Sequence, residues 1–152
     1  MSWTIEEATQ ELLGVLPLLS RIVAAEVRRE AGEETTMPQF RVLSYLASAP
    51  LTLSVLAKKR RVTLQSMSEL VQMLVERGWI ARLPDPHDRR QHLLCLTDEG
   101  RRHYEHAQEY TLRRLAPLMQ ALSPTEMDAV RVALPALRRV LTQEEGQACS
   151  GG

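Results

Sequence analysis

The 152-residue chain predicts a mainly α (α+β) fold of about six helices and one β-hairpin. Three observations carry that expectation. Apolar residues recur at helical spacing through most of the length, and Thr, Ser, Pro and Gly stand where helix ends require them. Only the stretch from Ile80 to Gly100 reads differently. There two short apolar strands, Ile80 to Leu83 and His92 to Leu96, flank a charged connection bearing Asp85, Asp88, Arg89 and Arg90. Aromatics make up 4% of the chain against 44% hydrophobic residues overall, so core building falls to Leu, Val, Ala and Met, which suits packed helices.

Each element follows in order. Thr4 and Glu7 form a capping box ahead of Ile5, Ala8, Leu12, Leu16, Leu19, Val23 and Val27, so a long helix runs to about Ala31. Pro17 lies inside it, takes away the bond to the Leu13 carbonyl and predicts a kink. Gly32 to Thr36 ends it, and Pro38 opens a second helix through Phe40, Leu43 and Leu46 that stops near Pro50. Thr52 caps a short third helix, which breaks at Lys58-Lys59-Arg60-Arg61-Val62. Thr63 caps a fourth, with Met67, Leu70, Val71, Leu74 and Val75 on one face and Gln65, Ser68, Glu69, Gln72 and Glu76 on the other. Gly78 terminates it and leads into the hairpin. Two short helices joined by a tight basic break, the second with a polar face, are helix-turn-helix geometry.

Beyond the hairpin, Thr97 caps a fifth helix with Asp98 and Glu99 in its first turn, and Pro117 predicts a second kink. Ser123 and Glu126 form another capping box, opening a last helix along Met127, Val130, Leu134, Leu137 and Leu141. Residues 144–152 read as a flexible tail. The first and last two helices carry apolar stripes far in sequence from the compact middle. They must bury these against each other or against a second copy, so residues 1–35 and 98–143 are expected to dimerise and 36–97 to form the reading head.

Net charge is zero, yet it is unevenly spread. Residues 1–35 hold three Arg against seven Glu, whereas 52–92 hold eight Lys and Arg against four Asp and Glu. A basic middle between acidic flanks suits a nucleic-acid partner. No apolar run approaches the length needed to span a bilayer, the first residues do not read as a signal peptide, and the two cysteines suggest no disulfide framework. A cytoplasmic protein is the expectation. No Gly-rich phosphate loop, Ser/His/Asp ordering or metal quartet marks an enzyme, and no cofactor is expected.

Arg82 to Arg90, with Asp85, Asp88, Arg89 and Arg90, followed after a short strand by Leu96, Thr97 and Gly100, resembles the signature of the MarR family of bacterial winged helix-turn-helix regulators. Leu56-Ala57 and Leu74-Val75-Glu76-Arg77-Gly78 support the resemblance, which extends from the first helix to about Thr142. It implies a homodimer on a pseudo-palindromic double-stranded operator, with the fourth helix in the major groove and each wing over the minor groove. Arg90 is then the minor-groove arginine, Asp88 orients it through a charge-assisted pair, and Arg89 meets phosphate. A planar guanidinium suits a narrow, electronegative groove.

On the fourth helix Leu64, Gln65, Ser66, Ser68, Glu69 and Gln72 are the exposed candidates. Gln65 fits adenine and Leu64 a thymine methyl, while Thr63, Ser66 and Ser68 suit phosphate or base edges. Glu69 departs from the basic residue often found in the family. Lys58, Lys59, Arg60, Arg61 and Ser54 are candidates for compensating phosphate contacts. The resemblance also implies release by a small phenolic or lipophilic molecule. Candidate pocket residues are Trp3, Leu12, Leu16, Leu19, Phe40, Leu43, Tyr45 and Tyr110, with Arg21 or Arg41 as anchor. Some members sense peroxide through a first-helix cysteine, which this chain lacks. Cys95 reads as a small strand hydrophobe and Cys149 as a tail residue. His103 and His106 lack an acidic partner cluster, so no metal site is expected. His87 and His92 flank the wing. The alternative reading is a dimeric helical interaction protein of the same fold that has lost DNA binding.

Overall fold

The computed structural model describes residues 2–31 and 36–150, with the side chains of 30, 31 and 144–150 outside the description. Among these residues six helices surround a small sheet. The elements are α1 (Ile5–Ala31), α2 (Met37–Ser48), β1 (Leu51–Thr52), α3 (Leu53–Arg60), α4 (Leu64–Glu76), β2 (Ile80–Pro84), β3 (His92–Leu96), α5 (Asp98–Met119) and α6 (Pro124–Ser150).

Local chemistry sets the helix ends. Thr4 and Glu7 exchange bonds at the head of α1, with the Thr4 N–H donating to Glu7 Oε2 at 2.8 Å. Thr36 and Gln39 do the same for α2, a box that the sequence reading passed over in favour of Pro38. Ser123 and Glu126 close the third box. The Ser123 backbone N–H, then its hydroxyl, hold the Glu126 carboxyl below the usual carboxylate range. The expected end of α1 at 32–35 lies outside the described residues.

Two expectations change. The hairpin is joined by a third strand: β1 pairs antiparallel with β3, Leu51 opposite Leu94, giving the order β1-β3-β2. Two residues carry too little alternation to announce a strand. At the other end α6 continues to Ser150 rather than dissolving into a tail after Gln143. Gln and Glu propagate a helix, and Gly146 alone costs only about 1 kcal/mol. Helices α1 and α5 run through Pro17 and Pro117 without interruption, and α6 likewise contains Pro135.

The core belongs to the middle of the chain. Leu43 and Leu46 of α2, Leu56 of α3, Met67 and Leu74 of α4, and Ile80 of β2 are all buried in one cluster. Helix α1 packs along α5. By length and composition Ile5–Arg29 would suffice to cross a membrane, contrary to the expectation of no such segment. Between Ala8 and Ala25 only Glu11 and Arg21 are charged, and interspersed small polar residues hide that low charge from a search for unbroken apolar runs.

The head joins the long helices at one knot. Helix α4 ends with Gly78 at φ 77°, its N–H bonded to Val75 and that of Trp79 to Leu74, the paired bonds of a left-handed cap. The Trp79 carbonyl then accepts from Thr97 N–H at 3.1 Å. The Thr97 hydroxyl donates to the Gly78 carbonyl and accepts from Gly100 N–H. A methyl group on Gly100 would collide with the Trp79 backbone. Substituting Gly100→Ala should therefore destabilise the fold by about 1–3 kcal/mol through overpacking, despite alanine's better helix propensity by about 1 kcal/mol. Urea unfolding of the two proteins measures the difference. A more stable variant would show that α5 shifts freely at this junction.

Candidate nucleic-acid interface

The break between α3 and α4 is built from a basic residue in an unusual backbone state. Arg61 caps α3 at φ 52°, and its N–H reaches the Ala57 and Lys58 carbonyls. Such a left-handed conformation costs a residue with a Cβ roughly 1–2 kcal/mol. Val62 N–H closes the turn on Ala57 at 3.1 Å. Thr63 then caps α4, its Oγ1 accepting from Ser66 N–H and bonding Ser66 Oγ at 3.0 Å. These bonds aim the start of α4 away from the core.

Met67, Val71 and Leu74 turn inward, while Leu64, Gln65, Ser66, Glu69 and Gln72 are exposed and Ser68 is half-buried. The outward face is therefore the polar one, as the periodicity predicts. It carries no Lys or Arg at all, and α4 has two acids, Glu69 and Glu76. Cations come instead from neighbouring elements. Lys58 and Arg61 are exposed at the break, Lys59 and Arg60 are half-buried, and Lys59 Nζ lies 5.6 Å from the Tyr45 ring centre. Ser54 is exposed in the first turn of α3.

At the wing tip Asp85 Oδ1 accepts from His87 N–H, and Asp88 Oδ1 from Arg90 N–H, each at 2.9 Å. Asp85 N–H also bonds the Gln91 carbonyl, and Gln91 N–H the Asp88 carbonyl. The aspartates thus fold the tip through its backbone. The Asp88 carboxylate meets the Arg90 backbone N–H, where a charge-assisted pair with the Arg90 side chain was expected. A carboxylate two residues upstream finds the nearer backbone donor first, in an Asx turn. Arg89 and Arg90 are left exposed.

Between the wing and the helix pair lies an open groove of about 260 Å³, whose lining includes Ser54, Leu64, Ser68, Arg82, Arg90 and His92. The expected site residues Ser54, Leu64, Ser68 and Arg90 therefore meet at one concavity. Arg82 is the residue that sequence reasoning missed. Its Nη2 donates to Gln72 Oε1 at 2.9 Å, and Gln72 Nε2 donates to Glu76 Oε1 at 3.1 Å. The signal was present in the strand alternation, because Arg82 shares a face with buried Ile80 two residues earlier.

The expected pocket residues scatter. A separate cavity of about 340 Å³ opens between α1, α2 and α5, with Val23, Phe40, Ser44, Tyr104, Thr111 and Leu115 in its lining. Phe40 and Tyr104 pack there with ring centres 5.4 Å apart. Of the candidates only Phe40 reaches this space. Leu43 is core, and Tyr45 packs against the core under Lys59. Trp3, Leu12, Leu16, Leu19, Arg21, Arg41 and Tyr110 are exposed elsewhere. Periodicity alone could not separate these faces, since stripe residues and cavity residues share the same helices.

Cys95 is half-buried in β3, its thiol 3.7 Å from the Ala81 carbonyl, and the Cys149 side chain lies outside the description. His103 stacks on Trp79 at 4.4 Å between ring centres, and its Nε2 is 3.9 Å from Glu99. Among the described residues no three His, Cys, Asp or Glu side chains converge as metal ligands.

Comparison with known proteins agrees with this geometry. A family model described as MarR family matches residues 35–91, which span the helix pair and the wing tip. The Multiple antibiotic resistance protein MarR of Escherichia coli is 38% identical over 68 residues, covering 44% of this chain and 47% of that protein. The crystal structure of RV1404 from Mycobacterium tuberculosis superposes with a TM-score of 0.81 at 30% identity, over 92% of this chain and 95% of that one. Streptococcus pneumoniae FabT, crystallised in complex with DNA, shares the fold at a TM-score of 0.74 and 20% identity, over 92% and 99% of the two chains. With a helix pair, an outward polar helix and a two-arginine wing in one head, the chain belongs to the MarR family of winged helix-turn-helix DNA-binding transcriptional regulators.

Proposed function

We propose that the protein is a homodimeric repressor that binds a pseudo-palindromic operator in the cytoplasm and is released by a small lipophilic or phenolic ligand. The observation that carries the reading is the groove that sets an outward polar helix face beside an exposed Arg89-Arg90 tip. A convex helix flanked by a cationic hairpin matches a major groove beside a minor groove. That a protein of the same fold was crystallised in complex with DNA supports a duplex as the partner. In this reading Arg90 enters the minor groove, Arg89 meets phosphate and Asp88 shapes the tip. Leu64, Gln65, Ser68 and Glu69 face base edges, while Gln72 is tied to Arg82 and Glu76 at their border. Thr63, Ser66, Ser54, Lys58, Lys59 and Arg61 line the backbone track.

Dimerisation is supported by what the long helices leave uncovered. Leu13, Val15, Leu16 and Leu18 of α1, and Val132, Leu134, Val140 and Leu141 of α6, are each more than half exposed. Helix α6 packs on α3 within the chain and, among the described residues, makes no comparable contact along α1 or α5. An unpaired apolar face of this extent suits a second copy better than water. We therefore assign residues 1–35 and the helices after Thr97 to the dimer and 36–97 to the reading head. The cavity at Phe40 and Tyr104 touches both parts, so a ligand there can change the spacing of the heads.

A second reading, an interaction protein without DNA binding, is favoured by the lack of any cation on α4. Titration of a labelled duplex against salt separates the two, because phosphate neutralisation makes log K fall steeply with log salt. Arg90→Ala should cost about 1–3 kcal/mol of operator affinity, and Arg89→Ala should lower the salt slope by about 0.9 per head. A salt-independent or undetectable association would leave the interaction reading standing. For the dimer, light scattering of the L16E/L141E double variant should give the 17.2 kDa mass of one chain, against twice that for the parent. Duplex binding should weaken roughly hundredfold as bivalency is lost. A parent protein that already runs as a monomer would overturn the assignment.

A further inference from the structure

We infer that Arg82 is a second wing arginine that contacts DNA, a phosphate clamp held at the edge of the recognition helix by Gln72. The inference rests on the DNA-binding reading and adds a residue to it. Strand β2 alternates faces, and Ile80, on the Arg82 face, is buried in the core. Arg82, opposite Leu94, stands where that face emerges from the core into the groove. Its guanidinium spends one donor on Gln72 Oε1 at 2.9 Å. A guanidinium has five donors in a rigid fork, so the remainder stay available to an oxyanion in the groove it shares with Arg90 and Ser68.

Gln72 is constrained in turn. Its carbonyl faces Arg82 and its amide N–H donates to Glu76, which fixes the amide orientation along α4. Both ends of the amide are thereby occupied, so Gln72 acts as a strut rather than a free reader of adenine. The chain is solvent-exposed throughout, and exposed polar ties add little stability. Its effect is orientation. The helix that should approach phosphates carries Glu69 and Glu76 and no cation of its own. Arg82 brings one to its flank already ordered, which spares the entropy of immobilising a long side chain at the moment of binding.

The test is fluorescence anisotropy with a labelled duplex of mixed sequence, titrated at several salt concentrations, with thermal melts of every variant. R82A should weaken binding roughly tenfold or more and lower the salt slope by about 0.9 per head. R82M keeps the aliphatic stem and should show the same slope change, which covers the case of an unstable R82A. Q72A and R82K both retain the charge, so both should keep the parental slope while weakening binding several-fold. In the R82A background Q72A should add nothing. A parental slope and affinity for R82A or R82M would overturn the clamp, and so would a loss confined to the melting temperature. If the parent itself binds no duplex, the DNA-binding reading fails along with the clamp. A parent that binds with an R82A slope unchanged removes the clamp alone.

Discussion

The structure turns on the contact between Gly100 and the backbone of Trp79. At that point the end of α4, the end of β3 and the first turn of α5 occupy a space with no room for one more carbon atom. Thr97 ties the three together, donating to the Trp79 and Gly78 carbonyls while accepting from Gly100. Trp79, buried except for its edge, stacks on His103 one turn into α5. The long helix therefore leaves the reading head from a rigid mount, and a change in the direction of α5 must be felt at α4 and the wing. In the proposed reading, that rigidity lets events among the long helices move the surface assigned to DNA.

The electrostatic design is an indirect one. The whole chain is neutral and its outward helix is acidic, yet the head is basic because cations surround that helix without lying on it. Lys58 to Arg61 stand before it, Arg89 and Arg90 lie across the groove, and Arg82 reaches its flank. Such an arrangement separates two jobs. In the proposed docking, uncharged polar side chains meet base edges, Arg89 and Arg82 address phosphates and Arg90 enters the minor groove.

Much of this was legible in the chain. The caps at Thr4, Thr52, Thr63, Thr97 and Ser123 announce helix starts because a hydroxyl two or three residues ahead of unpaired N–H groups has one obvious use. Gly78 announces an end because only glycine enters φ 77° without cost. The wing was legible for the same local reason, since a Pro-bearing, charged connection between two apolar strands has few other outcomes. Strand β1 was not, because two residues have no period. Nor was the extension of α6 past Gln143, where propensity and composition pull in opposite directions.

The sequence by itself determined where each helix begins, which face of α4 turns inward, and that a two-arginine hairpin follows it. Those are consequences of bonds and periodicities spanning a few residues. Tertiary structure alone decided which polar groups found each other. Arg82 reaches Gln72 from another element, and Phe40 shares a cavity with Tyr104 while the apolar stripe of α1 stays open. Such pairings depend on how elements distant in the chain are turned toward one another. That rotation is set by the packing around Trp79 and Gly100, which no local pattern encodes.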